Sequence, residues 1–371
     1  MKKRLAIIGA NGFQNPLILK AKELGYETFV FAWKSGDIGE KTADHFIPIS
    51  IIEKEKIWDF CKNNKIEACV SIGSDLATHT VNYIQRKLGK PCNPVITDLI
   101  ATDKFEMRKA LLDFGVSCPK FMKVDEQSDL GLLHGFRYPL IVKPTDRSGS
   151  RGIFKIFKQS ELKKAIQESC GQSFGGQAIV EEFIEGAEYS CESISYNGKH
   201  TILQFTKKYT TGSPHFIETG HEEPSDIPAH YLEKIKYQIC QGLSALKIRF
   251  GASHAEFKLD GNGDAHIIEI GARMGGDCIG SDLVPLSTGF DFVKMVIDVS
   301  LGKEPDFSLC GVPARSFIRF IFNKDDYLDY VRIKHERNVK IIREFVDNDV
   351  TSEVKDSSSR HGYYIYQMVN N

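Results

Sequence analysis

At 371 residues, with 42% hydrophobic and 26% charged positions, the chain is long enough for two or more cores, which excludes a disulfide- or metal-stapled miniature. Lys plus Arg total 48 against 49 for Asp plus Glu, a formal net charge of −1, so the basic footprint of a nucleic-acid or acidic-membrane binder is absent. Nine cysteines, odd in number and without a C-x-x-C pair, point to core-filling thiols in a reducing cytoplasm rather than a disulfide framework or zinc site. The basic start Met1-Lys-Lys-Arg4 is followed by an apolar run that stops at Asn11-Gly12, short of the roughly 7–15 residues of a signal-peptide core. No apolar stretch reaches the about 18 residues of a membrane span.

Residues 4–9 form a continuous apolar run, residues 16–24 have helical spacing stopped by Gly25, and residues 28–33 read as a second strand. A helix over 54–64 and a strand over 68–72 follow. Strands alternating with helices predict a parallel α/β domain over residues 1–100. Two nucleotide-loop patterns fail within it. Gly9 and Gly12 lack a third glycine and Trp33 stands where a ribose-binding acid belongs, which disfavours a dehydrogenase; in Gly36-Asp-Ile-Gly-Glu-Lys-Thr42, Glu40 separates glycine from lysine and spoils a P-loop.

A helix over 103–114, capped by Thr102 or Asp103 and ended by Gly115, leads to a strand over 140–143, a Gly/Ser-rich loop over 146–152, a strand over 153–157, a helix over 160–169 and a strand over 178–182. This is a compact α+β unit. Strands and hairpins dominate beyond Gly186, with helices near 229–246 and 290–301, and short strands return after Pro305.

The most informative segment is Ala255-Glu-Phe-Lys-Leu-Asp-Gly-Asn-Gly-Asp-Ala-His-Ile-Ile-Glu-Ile-Gly271, two alternating strands about Asn262-Gly263, the pair favoured in two-residue type I′ turns. That turn sets Glu256 directly opposite Glu269 and puts Ala255, Phe257, Leu259, Ile268 and Ile270 on the buried face. Carboxylates with Cβ atoms about 5 Å apart repel unless one is protonated or a cation lies between them. All-oxygen ligands suit a hard ion, Mg²⁺ or Mn²⁺, shared with substrate phosphates; a metal-free, solvent-exposed hairpin is the alternative. Upstream, Lys143-Pro144 ends an apolar strand before Asp146-Arg-Ser-Gly-Ser-Arg-Gly152, whose glycines let backbone N–H groups turn toward anionic oxygens; a plain flexible turn has the same composition.

In this order the segments resemble the ATP-grasp superfamily, within it carboxylate–amine ligases such as the L-amino acid ligases and the ATP-grasp unit of the carbamoyl-phosphate synthase large chain. The resemblance covers residues 1–305 and is carried by Ile141-Val-Lys-Pro144, Val180-Glu-Glu-Phe-Ile-Glu-Gly186 and Glu269-Ile-Gly-Ala-Arg273. It implies a multidomain α/β and α+β chain: a parallel pre-ATP-grasp domain (1–100), an ATP-grasp unit (101–305) with a lid over 116–185 and a catalytic part over 186–305, and a small β-rich C-terminal segment (306–371) with no assigned chemistry. It assigns Lys104, Lys143 and the loop residues Ser148, Gly149 and Ser150 to ATP phosphates. Glu181, Glu182, Phe183 and Ile184 go to adenine, Glu188 to the ribose hydroxyls, Glu256 and Glu269 to the metal, and Arg273 with Lys143 to catalysis. Gly271 stands where many members place a ligating Asn, which implies that one metal is held mainly by ATP phosphates.

The implied reaction is ATP-dependent joining of a small carboxylic acid to an amine, amino acids among them, through an acyl phosphate, with ADP and phosphate released and ATP and Mg²⁺ (or Mn²⁺) as cofactors. Neither nucleic acid nor membrane is a partner, and a homodimer stays open. Substrate selection is expected from residues 207–215 and 218–223, with His215, His221 and His254 as candidates beside Gly275 and Gly276; Asp277 and Ser281 either line the same pocket or cap a helix. A bicarbonate-using carboxylase of the same superfamily and a non-catalytic ATP-binding protein remain as alternatives.

Overall fold

A run such as Leu5–Ile8, apolar at every step, belongs in a parallel sheet covered on both faces. In the computed structural model, which describes residues 2–149, 151–213, 216–347 and 349–369, these residues are fully buried in β1 (Arg4–Ile8). With β2 (Glu27–Phe31), β3 (His45–Ile47) and β4 (Ala68–Val70) they form a parallel sheet in the order β3-β2-β1-β4. The second and fourth strands end before Trp33 and Ile72, and Trp33 is left 70% exposed.

A second sheet carries the Gly/Ser-rich loop. It comprises β5 (Phe121–Val124), β6 (Leu140–Pro144), β7 (Phe154–Ile156) and β8 (Ala178–Glu182), antiparallel in the order β5-β8-β6-β7, and the helix Gln159–Gln172 buries Leu162, Ala165 and Ile166 against it.

The third sheet holds β9 (Ala187–Tyr196), β10 (Lys199–Thr210), β11 (Glu218–Glu223), β12 (Gly251–Leu259), β13 (Ala265–Gly271), β14 (Ser316–Phe320), β15 (Val339–Val346) and β16 (Gly362–Met368), in the order β13-β12-β9-β10-β11-β14-β16-β15. The C-terminal strands therefore extend this sheet through the β11–β14 pairing. Their segment also contains a helix, Lys324–Lys334, where short strands were expected; Asn323 caps it by accepting from the Asp325 and Asp326 amides.

Alternation divides the third sheet chemically. Tyr189, Cys191, Phe205, Ala255, Phe257, Ile267 and Ile270 pack with Ile235, Ile239 and Leu243 of the helix Ala229–Ala245. The intervening residues of β9, β10 and β12 (Glu188, Ser190 and Glu192; Thr206 and Lys208; His254, Glu256 and Lys258) point the other way. Gly186 enters this sheet at φ +134°, where a Cβ would lie 2.3 Å from the Leu259 carbonyl oxygen, so the entry requires glycine.

The β12–β13 hairpin corrects the expected turn. The loop holds three residues: Gly263 N–H donates to Asp260 O, and Gly263 takes φ +75°, the arrangement of a turn followed by a left-handed glycine rather than a two-residue type I′ turn. Near the loop Phe257 pairs with Ile267, whereas farther on Glu256 pairs with Glu269. A bulge at Ile268 restores the register that the longer loop displaced. Glu256 and Glu269 are thus opposed as expected, but Ile267, not Ile268, lies on the buried face, and Ile268 lines the cleft. No helix among the described residues is long and apolar enough to cross a membrane.

Candidate functional site

The polar face of the third sheet, the lid sheet and the helix Lys104–Asp113 enclose one cleft. Lys104, Lys143, Ser148 and Gly149 line it, as do Glu181, Glu182, Phe183, Ile184 and Glu188. Glu256, Glu269, Arg273 and His254 complete the sequence-derived set found there. His221, Gly275 and Gly276 do not line it. Ser150 and His215 lie outside the described residues.

Lys104 follows the N-cap Asp103, whose side chain accepts from the Glu106 amide. Its ammonium is buried, donating to Glu269 Oε1 at 3.2 Å and to the Arg147 carbonyl at 2.6 Å, so it ties Glu269 to the start of the glycine-rich loop. Asp146 accepts from the amides of Phe174 and Gly175, and the Arg147 guanidinium sits 4.1 Å from the Phe174 ring centroid. The first two loop residues are thereby anchored, while Ser148 and Gly149 are exposed.

Lys143 and Arg108 both pair with the fully enclosed Glu181, at 2.7 and 2.6 Å. Burial alone would raise the Glu181 pKa, but the two cations outweigh it and hold the carboxyl down at about 2. Burial lowers the Lys143 pKa, and Glu181 partly restores it. Arg108 also donates to the bulged Ile268 carbonyl at 2.5 Å. The ammonium groups of Lys155 and Lys258 lie 3.4 and 4.1 Å from the Phe183 ring centroid.

Around the opposed carboxylates, Lys208 Nζ lies 2.7 Å from Glu256 Oε1, 3.1 Å from Glu188 and 3.8 Å from Glu218. Burial opposes its charge, but those acids raise its pKa well above the ordinary lysine value. His254 is opposite Glu192 on β9 and hydrogen-bonds it through Nδ1, while Nε2 lies 3.2 Å from Glu256 Oε1. Burial lowers the His254 pKa, yet Glu192 and Glu256 outweigh it and bring it up to about 9. Burial likewise opposes ionisation of Glu256, and Lys208 and His254 hold it well below the carboxylate range. Glu256 and Glu269 thus oppose each other on the cleft wall with Lys104, Lys208 and Arg273 among the cations beside them. The hard oxygen donors of this opposed pair suit a divalent cation. Among the described residues no group of three or more His, Cys, Asp or Glu could hold a metal unaided.

Arg273 is fixed by Asp75 of the N-terminal domain, whose two oxygens receive Nε and Nη2 at 2.8 and 3.0 Å. Asp277 and Cys278 adopt φ +49° and +63°, uncommon for side chains with a Cβ. This turn aims Asp277 away from the cleft toward Arg360, which binds it at 3.0 Å through both terminal nitrogens, and toward His221 at 3.6 Å. Arg360 comes from the C-terminal segment to which no chemistry was assigned. Gly275 donates its N–H to Glu192 at 3.0 Å, a role behind the cleft wall. Sequence reasoning missed Arg108, Glu192 and Asp75 altogether and noticed Lys208 only as part of a polar stretch. The same period-2 alternation that exposed Glu256, applied to Glu188-Tyr-Ser-Cys-Glu192, would have found Glu192. Nothing local marks Arg108 or Asp75, whose partners lie 73 and 198 residues away.

Residues 136–282 match the ATP-grasp domain family. Among curated relatives, the chain is 26% identical over 197 residues to D-alanine–D-alanine ligase B of Chromobacterium violaceum, covering 52% of this chain and 63% of that protein, which is less than two thirds of its length. It is 23% identical over 233 residues to the D-alanine–D-alanine ligase of Cupriavidus metallidurans, covering 59% and 70%. Among solved structures, the L-amino acid ligase from Bacillus licheniformis superposes with a TM-score of 0.82 at 23% identity over 100% of this chain and 94% of the other. Phosphoribosylglycinamide synthetase from Anaerococcus prevotii does so with 0.78 at 20%, over 100% and 95%. At these identities the structural likeness establishes the fold.

Proposed function

We propose that this chain, a member of the ATP-grasp superfamily, is an ATP-dependent carboxylate–amine ligase that activates its acid as an acyl phosphate and releases ADP and phosphate. The observation that carries this reading is the convergence, in one cleft, of Lys104, Lys143 and Arg273 with the opposed pair Glu256 and Glu269. A carboxylate resists attack by an amine because oxide is a poor leaving group; transfer of the terminal phosphoryl group makes that oxygen leave as phosphate. Such transfer needs alignment and charge neutralisation more than covalent help from the protein. Lys104 and Lys143 supply fixed ammonium groups, and the amides about Ser148 and Gly149 supply donors that can close over the phosphates. A divalent ion, Mg²⁺ or Mn²⁺, would be held by Glu256 and Glu269 and would supply neutralisation of phosphate charge. The backbone of residues 181–184 receives adenine and Glu188 the ribose. Arg273, oriented by Asp75, holds positive charge where the substrate carboxylate and the later oxyanion develop.

The relatives joining two alanines and the structural neighbour acting on L-amino acids favour amino acids as both substrates. The test is phosphate release from ATP and Mg²⁺ with paired amino acids, with and without bicarbonate, followed by mass spectrometry of products. A dipeptide or amide with stoichiometric ADP supports the reading. Phosphate release that requires bicarbonate and no amino acid would establish a carboxylase instead, and AMP with pyrophosphate would refute the acyl-phosphate route.

A further inference from the structure

The donors reaching Glu256 share one feature: both end on the same oxygen. Lys208 Nζ, from β10, lies 2.7 Å from Oε1, and His254 Nε2, from β12, lies 3.2 Å from Oε1. Among the described residues no donor is directed at Oε2. A carboxylate held at one oxygen by two donors from different strands cannot rotate freely, and its second oxygen is left available. The imidazole is itself held. Glu192, fully buried, takes His254 Nδ1 on Oε1 and the Gly275 N–H on Oε2 at 3.0 Å. A Cβ at position 275 would lie 2.5 Å from Glu192 Oε1, so any side chain there would displace this carboxylate. With Glu192 at Nδ1 and Glu256 at Nε2, the orientation of the ring is set from the side remote from the cleft.

We propose that His254, clamped by Glu192 and Gly275, is a positioning residue that engages Glu256 Oε1 together with Lys208 and thereby reserves Oε2 for the catalytic divalent cation. The proposal rests on the assignment of Glu256 as a metal ligand. It adds a continuous path from the segment just beyond Arg273, through Gly275, Glu192 and His254, to that ligand, so the metal carboxylate and the arginine segment share one rigid support.

The test is Mn²⁺ titration of the full chain in the presence of ADP, read as free Mn²⁺ by electron paramagnetic resonance, with circular dichroism as a check on folding and ADP binding without metal as a control. Glu256→Gln tests the underlying assignment: undiminished Mn²⁺ binding there would remove both the ligand role and the proposal. With that control showing loss, His254→Leu is expected to weaken Mn²⁺ binding by about 10- to 100-fold while leaving metal-free ADP binding unchanged. His254→Gln, whose amide nitrogen takes the place of Nε2, is expected to recover most of the loss, which a purely space-filling role would not produce. Glu192→Gln keeps the volume and removes the charge that clamps the ring; it is expected to weaken binding several-fold, and it decides alone if His254→Leu does not fold. Wild-type Mn²⁺ affinity in a folded His254→Leu or Glu192→Gln protein, beside a defective Glu256→Gln, would overturn the proposal.

Discussion

Two clusters of buried charge line the same cleft and are built differently. At the lid, Glu181 is closed between Arg108 and Lys143, with one carboxylate oxygen on each cation. On the third sheet, Glu256 and Glu269 face each other in register, and among the described residues the donors to each end on Oε1. The first arrangement saturates its acid, whose work is to hold Lys143 and the first helix of the central unit in place. The second keeps coordinating capacity in reserve at the cost of leaving like charges opposed. The two clusters thus differ in whether both oxygens of the acid are engaged.

The largest expected effect breaks the closed cluster. Glu181→Ala leaves Arg108 and Lys143 buried without compensation and should cost about 3–5 kcal/mol of unfolding free energy in urea titrations. A loss below about 1 kcal/mol would show that the two cations relax into solvent and that the closed description is mistaken.

Next in size, Glu269→Gln should lower ADP release at saturating substrates by a factor of at least about 10², on the order of 3 kcal/mol, with the melting temperature nearly unchanged. Full turnover in this variant would erase the distinction between the clusters.

The two kinds of burial also predict opposite pH slopes. Glu181 is depressed to about 2, so its stabilisation is present above the ordinary glutamate range near 4.5 and is lost as pH falls toward 2. Glu223 is fully buried and has no ion-pair partner among the described residues; its oxygens meet the hydroxyls of Thr206 and Ser287, both at 2.7 Å. Burial raises its pKa to about 8, against the partial relief of those hydroxyls. The folded state then keeps a proton that the unfolded chain releases, so stability should fall between pH 4.5 and 8, by at most about 1.4 kcal/mol per pH unit. Glu223→Gln should flatten that slope; an unchanged profile in chemical denaturation from pH 5 to 8 would assign the dependence elsewhere.

The smallest effect is local. Amide exchange at residues 148, 149, 151 and 152 should slow when ATP and Mg²⁺ are added, whereas Phe174 and Gly175, whose amides are held by Asp146, should change little. Equal response across both segments would mean that the whole loop moves as one body.

Much of the site was legible in the sequence because it lies on regular strands. Alternation placed Glu256 and Glu269 on one face, and it did so despite a wrong turn: the three-residue loop at Asp260 and the bulge at Ile268 displace the register in opposite senses and cancel at Glu256. The misplacement of Ile268 is the trace that remains. The helix Lys324–Lys334 escaped notice because its sequence, Lys-Asp-Asp-Tyr-Leu-Asp-Tyr-Val-Arg-Ile-Lys, is mostly polar and buries only Tyr330. Its Asn323 cap was the available signal.

The alternation of strands and helices, the spacing of Lys143 before its glycine-rich loop and the two carboxylates flanking Asn262-Gly263 follow from local sequence, since backbone period and turn chemistry act over a few residues. What holds those groups in place does not. Glu192 reaches His254 across 62 residues, Arg108 reaches Glu181 across 73, Asp75 reaches Arg273 across 198 and Arg360 reaches Asp277 across 83. Each of these pairs joins an acid to a base whose own surroundings look like an ordinary solvated face. Only packing of the sheets removes the water, and with it the screening that would otherwise make such pairs interchangeable.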